Sequence, residues 1–415
     1  MATTSPIRIV TLDLVRGIAV MGIFSVNIVG MGLYGPAYSH PPAFGFEGLG
    51  DKLMWLANFI LVDGKMRTLF TLLFGASSLL VIERSIEAGR KAGRAHYARM
   101  ITLLLFGLAH FYLVWQGDIL TEYALGGLLI FLWRNRKTKT ILIWAVVLLV
   151  INAGLVNSFP VPDQFRAAEE LRSGTLEGDR REQVESMLES LDPSPEHIAE
   201  EAEKEENPAA YLRDGIGQGW QPHLSILFWV GELLGTMLVG MALYRMGFLS
   251  GAMRDSVYRR WAIWAAGGGI VLSAALGLLV WQKDFGFEWT FAARNAWQTL
   301  FRVPMAIGYA ALIILLFRRV GALGERIAAV GRTAFSNYLG ASLLMVPVFQ
   351  GWGLGLYDEL SRGQLWLFFV PAVWALMLLW SPWWLQHYRY GPLEWLWRSI
   401  ARGQVQPLRR AQPAA

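Results

Sequence analysis

Residues 105–127 read LFGLAHFYLVWQGDILTEYALGG, an apolar stretch that contains a histidine, an aspartate and a glutamate. Apolar runs of roughly 20 residues are long enough to cross a hydrocarbon core as helix. Ionisable side chains at that depth cost about a few kcal/mol or more each, so they usually face a cavity or a partner. His110, Asp118 and Glu122 are therefore the first candidates for a functional site.

The composition of the whole chain indicates an integral membrane protein. Of its 415 residues, 54% are apolar and only 17% are charged, whereas a soluble protein carries about 25% charged residues. The 19 tryptophans suit membrane–water interfaces. Cysteine is absent, which excludes disulfides and thiolate chemistry.

The distribution of apolar segments predicts an all-α fold, a polytopic membrane helical bundle with ten transmembrane helices. A further apolar stretch, 53–62, is too short to span and is expected to lie at the interface or to re-enter. The predicted spans are 12–32, 66–83, 100–116, 119–133, 140–159, 223–245, 261–281, 299–317, 334–354 and 365–386.

The charges of the connecting loops predict the orientation. Alternate connections are strongly basic, as in RNRKTK at 134–139, and the chain ends in a basic tail. Since short cytoplasmic loops carry an excess of lysine and arginine, both termini are expected on the cytoplasmic side. The even number of predicted spans agrees with this orientation.

The predicted organisation has four parts. The long loop contains 16 of the chain's 32 acidic residues, and its helical spacing favours a solvated helical cap over a binding lid. The parts are a first membrane half of five spans at 1–159, an acidic external loop at 160–222, a second half of five spans at 223–390 and a basic cytoplasmic tail at 391–415.

His110 is placed roughly 10 Å inside the outer end of its predicted span, at 1.5 Å per residue. Asp118 follows at the turn into the next span, and Glu122 lies on the same helix face. A neutral imidazole accepts a proton from a hydroxyl or amine, and a nearby carboxylate orients it. The alternatives are a histidine that is hydrogen-bonded for packing, with Asp118 as a helix N-cap, and a proton relay in a carrier.

Two further groups of ionisable residues lie in or near the predicted spans. Asp13 and Arg16 stand one turn apart at the cytoplasmic end of the first span, with Asn27 on roughly the same face. They either bind an anionic ligand or close the helix end as an ion pair. The second group lies towards the outer side and either lines a polar cavity open to that side or snorkels to the interface. Its members are Asp63, Lys65, Arg67, Glu232, Arg294 and Arg302.

We expect the ionisable groups to surround one water-filled chamber reached from the outer leaflet. The chain contains no GxxxxGK[ST], GxSxG or HExxH motif, so the corresponding ATP-driven, hydrolase and metalloprotease functions lack support. No metal site and no nucleic-acid partner are predicted. Membrane lipids are expected partners, and an oligomer is left open.

Several stretches resemble the DUF418 family, also called the YeiB family, over about residues 9–400 apart from the acidic loop. They are TLDLVRGIAVMGIFSVNI at 11–28, LFGLAHFYLVWQGDILTEYALGGLL at 105–129, GRTAFSNYLGASLL at 331–344 and GPLEWLWR at 391–398. The LDxxRGxA start is also similar to the wider transmembrane acyltransferase superfamily, which includes the acyltransferase-3 enzymes and lysosomal heparan-glucosaminide N-acetyltransferase. Those enzymes move an acyl group, commonly from cytoplasmic acyl-CoA, to an acceptor at the opposite face.

The resemblance implies an acyltransferase of the bacterial inner membrane, with no permanently bound cofactor and acyl-CoA as a co-substrate. The acceptor would be a small molecule, a glycan or a lipid. Asp13, Arg16 and Asn27 would bind the donor. His110 would deprotonate the acceptor, with Asp118 orienting it and Glu122 assisting.

The sequence departs from the superfamily at one position. In acyltransferase-3 proteins a histidine follows the arginine of the first helix with ten residues between, and Asn27 stands there in this chain. The glucosaminide enzyme is similar in having asparagine at this point, and it uses a histidine in the following outer loop, where this chain has His40. The HxxxxWxGDIL block belongs to the DUF418 pattern, whereas a histidine at the position of His40 does not. The resemblance therefore favours His110 over His40 as the base.

Two other functions fit the same residues. A proton-coupled transporter of a small molecule or lipid would use Asp118 or Glu122 to carry protons. A membrane scaffold would bind a partner through the acidic external loop.

Overall fold

The structure is a computed structural model that describes residues 9–175, 181–182, 184, 191–217, 219–224, 226–350 and 352–410. In these ranges the chain is helical and contains no β-strand. The first half comprises α1 Val10–Gly32, α2 Leu49–Leu61, α3 Lys65–Glu87, α4 Ala92–Leu113, α5 Leu120–Ile130 and α6 Thr138–Ser158.

Four helices of the acidic loop lie in the described residues: α7 Pro160–Ser173, α8 Pro195–Glu206, α9 Pro208–Gly217 and α10 Gln221–Leu224. The second half comprises α11 Ile226–Arg245, α12 Asp255–Arg260, α13 Gly268–Gln282, α14 Phe287–Ala292, α15 Thr299–Leu316, α16 Ala322–Arg332, α17 Ala334–Phe349, α18 Arg362–His387 and α19 Pro392–Arg402. The π-helical segment Trp261–Gly267 joins α12 to α13, and a second π-helical segment, Ala293–Trp297, follows α14.

Each of the ten predicted spans overlaps a helix, but seven helical runs of the described chain are long and apolar enough to cross a membrane. Two of the remaining helices, α5 and α17, are apolar but shorter, and α4 contains His96, Arg99 and His110, whose polarity lowers its mean hydropathy. A polytopic membrane helical bundle is confirmed. The count of ten and the sides of the termini stay predictions. The seven runs are Val10–Gly32, Leu49–Glu87, Thr138–Ser173, Ile226–Arg245, Asp255–Gln282, Thr299–Leu316 and Arg362–His387.

The stretch 53–62 forms part of α2, which packs against α13 and α18. It is separated from α3 by a break at residues 62–64. The break depends on Gly64, whose φ is +73°, a left-handed conformation that a residue with a Cβ rarely adopts. A Cβ at this position would also lie 2.5 Å from the Arg302 side chain.

Helix α1 is central and packs against α3, α16, α17 and α18. Its contact with α16 is backbone to backbone, because a Cβ added at Gly331 would lie 1.8 Å from the Asp13 carbonyl oxygen. A Cβ at Gly17 would lie 2.1 Å from the Ile327 carbonyl oxygen. Small residues allow such close approach where lipid provides no hydrophobic force between helices. This contact fixes the start of α1 beside the cavity described next.

Candidate functional site

A cavity of about 940 Å³ enters the bundle at the end where α1 begins and α3 ends. We call this the basic end, since its rim includes Arg84 and the exposed Arg389 and Arg410. Residues of α1 from Leu12 to Ile23 line the wall, which corresponds to roughly 16 Å along the helix axis. The volume is in the range of small-molecule and cofactor sites, about 300–1,000 Å³.

The wall of this cavity carries an excess of positive charge. Two acidic residues, Asp13 and Glu394, face seven arginines there. Glu394 is already engaged, because one of its carboxylate oxygens accepts hydrogen bonds from the backbone N–H groups of Phe335 (2.7 Å) and Ser336 (3.1 Å) at the start of α17. The arginines are Arg16, Arg84, Arg99, Arg332, Arg389, Arg398 and Arg410.

The closed end of the cavity is formed by Ile119, Leu120, Tyr123 and Tyr338. The ring of Tyr338 also packs against the imidazole of His110, with 5.7 Å between ring centroids. Tyr338 therefore contacts both the cavity and the predicted catalytic histidine. His110 itself is buried and is not among the lining residues.

His110 and Asp118 form a hydrogen-bonded pair, with 2.8 Å between the imidazole Nδ1 and the carboxylate Oδ1. Since a carboxylate only accepts hydrogen bonds, Nδ1 carries a proton, and in the neutral imidazole the lone pair is then on Nε2. Nε2 is buried and has no hydrogen-bond partner in the described chain. A histidine in this state is equipped to accept a proton, and its catalytic role stays a prediction.

The turn between α4 and α5 holds the pair in place. The second carboxylate oxygen of Asp118 accepts a hydrogen bond from the backbone N–H of Thr121 at 3.0 Å, in the manner of an N-cap. The indole N–H of Trp115 donates to the carbonyl of Gly30 at 3.1 Å, which ties the turn to α1. Asp118 thus performs the capping role and the histidine-orienting role at the same time.

Part of the acidic loop covers this turn from the side opposite the basic end. The hydroxyl of Tyr211 in α9 donates to the Val114 carbonyl at 3.0 Å, and the hydroxyl of Tyr112 donates to the Gly219 carbonyl. The ring of His223 packs against that of Phe111, with 4.5 Å between centroids. The loop is therefore in contact with the region of the His110–Asp118 pair.

Glu122 belongs to a different group. It lies with Arg67 and Glu232 around a cavity of only about 10 Å³ between α3, α5 and α11. No hydrogen bond or ion pair joins it to His110 among the described residues. Glu232 pairs with Arg302 at 2.9 Å. The one-turn spacing of Asp118 and Glu122 did not bring them to one site, because Asp118 lies before the first residue of α5 rather than inside it.

Asp63 and Lys65, also predicted to line a cavity, have partners within the bundle. Asp63 pairs with Arg294 at 2.7 Å, and Arg294 donates to the Tyr38 carbonyl at 2.9 Å. The ammonium of Lys65 donates to the carbonyl of Phe59. The cavity beside Asp63 and Arg294 measures about 20 Å³, which is room for little more than one water. The predicted residues therefore do not surround one common chamber. A cavity of about 570 Å³ at the end opposite the basic end is lined by other residues, among them Glu47, Lys52 and Asp284, and the cavity of about 940 Å³ opens at the basic end.

Of the predicted donor-binding residues, Asp13 and Arg16 line the cavity and pair with each other at 3.4 Å. Arg16 also donates to the hydroxyl of Ser77 at 2.6 Å. Asn27 is buried beyond Ile23, the last α1 residue in the wall, and does not line the cavity.

His40, the alternative base, lies near the opposite end of the bundle in a turn that follows α1. Burial lowers its pKa to about 4, against weaker opposite effects of Glu288 and Asp192. It is therefore neutral at pH 7. It is not among the residues that line the large cavity.

Three residues of the cavity, Arg99, Tyr338 and Arg398, were not singled out from the sequence. Two of them could have been found from the sequence, because Tyr338 and Arg398 lie in the stretches that resemble the DUF418 family. Arg99 lies at the end of a basic connection between predicted spans. Because the positive-inside rule accounts for the basic residues of such a connection, Arg99 did not stand out as a site residue. Among the described residues, no three histidine, aspartate or glutamate side chains come together as metal ligands.

Comparison with known proteins identifies relatives over the whole length. The chain is 32% identical to the Escherichia coli K12 protein recorded as uncharacterized protein YeiB, over 98% of both chains. It belongs to the DUF418 (YeiB) family. The family model, described as a protein of unknown function, matches residues 243–404. No solved structure gives a significant match.

Two other relatives have lower identity. The uncharacterized protein YxaH of Bacillus subtilis is 29% identical over 97% of this chain and 96% of its own length. An uncharacterized 39.9 kDa protein from the amylase 3′ region of Bacillus acidopullulyticus is 22% identical over 97% and 96%. The DUF418 match includes Tyr338 and α19, whereas His110 and Asp118 lie outside it and inside the full-length similarity to YeiB.

Proposed function

We propose that this DUF418 protein is a membrane acyltransferase. An acyl thioester on an anionic carrier, such as acyl-CoA, would enter at the basic end, and its acyl group would pass to an acceptor at the His110–Asp118 pair. The observation that carries the proposal is the position of Tyr338, which closes the arginine-lined cavity and packs on His110. One side chain thus separates an anion-attracting cavity from a polarised imidazole.

The position of the pair along the bundle supports transfer across the membrane. His110 stands near the end of α4, 18 residues after its first residue at the basic end, which is roughly 27 Å along the axis. A carrier with several charges does not cross hydrocarbon. Its thioester can meet an acceptor from the other side only if a passage leads into the bundle, and this cavity provides roughly 16 Å of one along α1, as far as Tyr338.

The proposed reaction uses one proton shuttle. Nε2 of His110 takes the proton of the acceptor hydroxyl while the acceptor oxygen forms a bond to the thioester carbonyl carbon. The carbon–sulfur bond then breaks, and the thiolate receives the proton from the imidazolium. Asp118 stabilises the imidazolium through Nδ1 and keeps its orientation. An ester and a free carrier thiol are the products.

The test is thiol release by the purified protein in liposomes of phosphatidylethanolamine and phosphatidylglycerol. Acetyl-CoA, butyryl-CoA and palmitoyl-CoA serve as donors, and glucose, N-acetylglucosamine and glycerol serve as acceptors. The chain contains no cysteine, so a thiol reagent reports the carrier alone. We expect thiol release with matching ester formation, and its loss in His110→Ala. If the His110→Ala protein retains full turnover, His110 is not the catalytic base.

A transporter remains the second candidate, because buried ion pairs are typical of proton and ion pathways. Glu232 and Arg302 form such a pair, and Arg67 and Glu122 lie beside Glu232 around the small cavity between α3, α5 and α11. This candidate predicts that a labelled solute accumulates unmodified in proteoliposomes when a proton gradient is applied. Glu122→Gln would abolish accumulation, whereas it leaves acyl transfer unchanged if the first proposal is correct.

The proposal includes a location in the bacterial inner membrane. The bacterial sources of the three relatives support it. Membrane lipids would surround the bundle, and a glycan, a lipid or a small molecule would be the acceptor.

A further inference from the structure

Two arginines on the cavity wall have no ion-pair partner among the residues that the structure describes. The guanidinium of Arg99 in α4 stacks over the ring of Trp397 at 4.3 Å, and that of Arg398 in α19 lies 4.7 Å from the ring of Tyr390. Neither forms an ion pair within the described chain, and Nε of Arg398 is buried without a hydrogen-bond partner. Stacking fixes the direction of both guanidinium groups and leaves their N–H edges available.

Two other arginines in the interior of this bundle are paired with carboxylates, whereas the buried Arg362 donates to the Ala37 carbonyl and forms no ion pair within the described chain. Arg294 pairs with Asp63 at 2.7 Å, and Arg302 pairs with Glu232 at 2.9 Å. Burying a charge without compensation is strongly unfavourable. Arg99 and Arg398 are half-buried and form no ion pair among the described residues, so an anion that enters the cavity would supply their counter-charge.

The nearest carboxylate on α19 does not fill this role. Glu394 uses both oxygens on the start of α17, where the Ser336 hydroxyl and two backbone N–H groups donate to it. Burial raises the pKa of Glu394, in spite of those hydrogen bonds. Burial and the like charges of Arg402 and Arg16 lower the pKa of Arg398, with partial relief from Tyr390 and Glu394.

We propose that Arg99 and Arg398 bind a phosphate group of the ligand, at the basic end of the cavity between α4 and α19. Guanidinium groups match phosphate oxygens in a bidentate geometry, and the rings of Trp397 and Tyr390 offer flat apolar surface beside them. The phosphate can belong to a soluble nucleotide-type carrier or to a phospholipid headgroup. The inference specifies the donor half of the proposed acyltransferase, but the test measures binding alone.

The experiment is isothermal titration of the purified full-length protein with pyrophosphate and with 3′,5′-ADP, and separately with phosphatidylglycerol in mixed micelles. Saturable binding of the soluble probes identifies a soluble carrier, and binding of phosphatidylglycerol alone identifies a lipid headgroup. We expect Arg99→Gln and Arg398→Gln each to weaken binding about 10- to 100-fold, the loss expected for a charged hydrogen bond. Binding should also weaken as salt is raised.

Arg318→Gln is the matched control, because Arg318 is an arginine paired with Asp255 at 2.6 Å and does not line the cavity. It should bind like the wild type. Arg99→Lys and Arg398→Lys keep the positive charge but lose the bidentate guanidinium. Their affinity for the phosphate probes should lie between those of the wild type and the glutamine variants. They also replace a glutamine variant in the test if that variant does not fold. Wild-type protein that binds no phosphate probe, or variants that bind equally well, would overturn the inference.

The two proposals fail in different ways. If the protein binds the phosphate probes but releases no thiol, the arginine site is supported and the acyltransferase proposal is contradicted. If both glutamine variants release thiol with an unchanged donor KM, the protein is an acyltransferase but the two arginines do not bind its donor.

Discussion

One hydrogen bond decides which nitrogen of His110 is basic. The Asp118 carboxylate accepts from Nδ1 at 2.8 Å, so Nε2 is the proton acceptor. In Asp118→Asn the amide can donate to Nδ1 instead, which stabilises the wrong tautomer and removes the charge behind the imidazolium. We expect turnover to fall by about 10²- to 10⁴-fold, with little change in donor KM, in initial-rate measurements of thiol release.

Two substitutions serve as controls for that experiment. Glu122→Gln changes a carboxylate that lies with Arg67 and Glu232, and His40→Gln changes a histidine outside the cavity. Both should keep turnover within a few-fold of the wild type. If His40→Gln is inactive and Asp118→Asn is active, the base has been assigned to the wrong histidine.

Tyr338 and Tyr123 both line the closed end of the cavity, but only one of them has a hydroxyl proton to offer. Tyr123 donates to the Arg67 carbonyl at 3.2 Å and shares a 2.7 Å contact with Thr71. Tyr338 accepts from the Ile119 N–H at 3.3 Å, and no acceptor takes its own proton in the described chain. Its hydroxyl is therefore suited to donate to the carbonyl oxygen of a thioester.

Tyr338→Phe should then lower kcat by about 10²-fold, the loss typical of one oxyanion donor, and leave donor KM unchanged. Tyr123→Phe should keep kcat within a few-fold. We would measure kcat and donor KM separately. If Tyr338 only packs on His110, Tyr338→Phe should change both parameters or neither of them. Equal kcat values for the two phenylalanine variants would remove Tyr338 from the reaction.

At the scale of helices, the α1–α16 contact positions the cavity wall. A Cβ at Gly331 would lie 1.8 Å from the Asp13 carbonyl oxygen, so Gly331→Ala must separate the two helices. The expected cost is on the order of 1–3 kcal/mol, seen as a lower melting temperature in detergent. Gly340→Ala is the control, since a Cβ there meets nothing within 4 Å and alanine favours helix by up to about 1 kcal/mol.

The α17–α19 contact is expected to depend on pH through Glu394. Burial raises its pKa above the ordinary value of 4.5, so the folded state binds the proton more tightly than the unfolded state. The stability this provides is fully present below pH 4.5 and is lost as pH rises through the folded pKa. The melting temperature of the wild type, minus that of Glu394→Gln, should therefore decrease with rising pH. A difference that increases with pH would contradict the sign.

The sequence predicted local relationships better than distant ones. His110 and Asp118 are eight residues apart across one turn, so their proximity followed from the loop between two apolar segments. The partners of Asp63 and Glu232 are 231 and 70 residues away, and helix packing alone decides them. The cavity is built by α1, α4, α17 and α19, and an unpaired arginine such as Arg99 can be recognised only when its neighbours are known.

For the whole molecule, the arrangement is asymmetric along the bundle axis. The cavity of about 940 Å³ opens at the basic end with seven arginines in its wall, whereas the cavity of about 570 Å³ at the opposite end is lined by four acidic residues and one lysine. A donor and an acceptor would therefore approach the His110–Asp118 pair from different sides. The acceptor must pass the segment from α9 to α10, which covers the turn after α4.

The sidedness of this arrangement is testable because the chain has no cysteine. Single cysteines at Arg90, in the loop between α3 and α4, and at Gln282, at the end of α13, introduce exposed thiols at the two ends. By the positive-inside rule, a membrane-impermeant maleimide should label Gln282→Cys on intact spheroplasts and Arg90→Cys only after the membrane is opened. The opposite pattern would place the arginine-lined cavity outside the cell, where no acyl-CoA pool exists to supply it, and would refute a cytoplasmic donor.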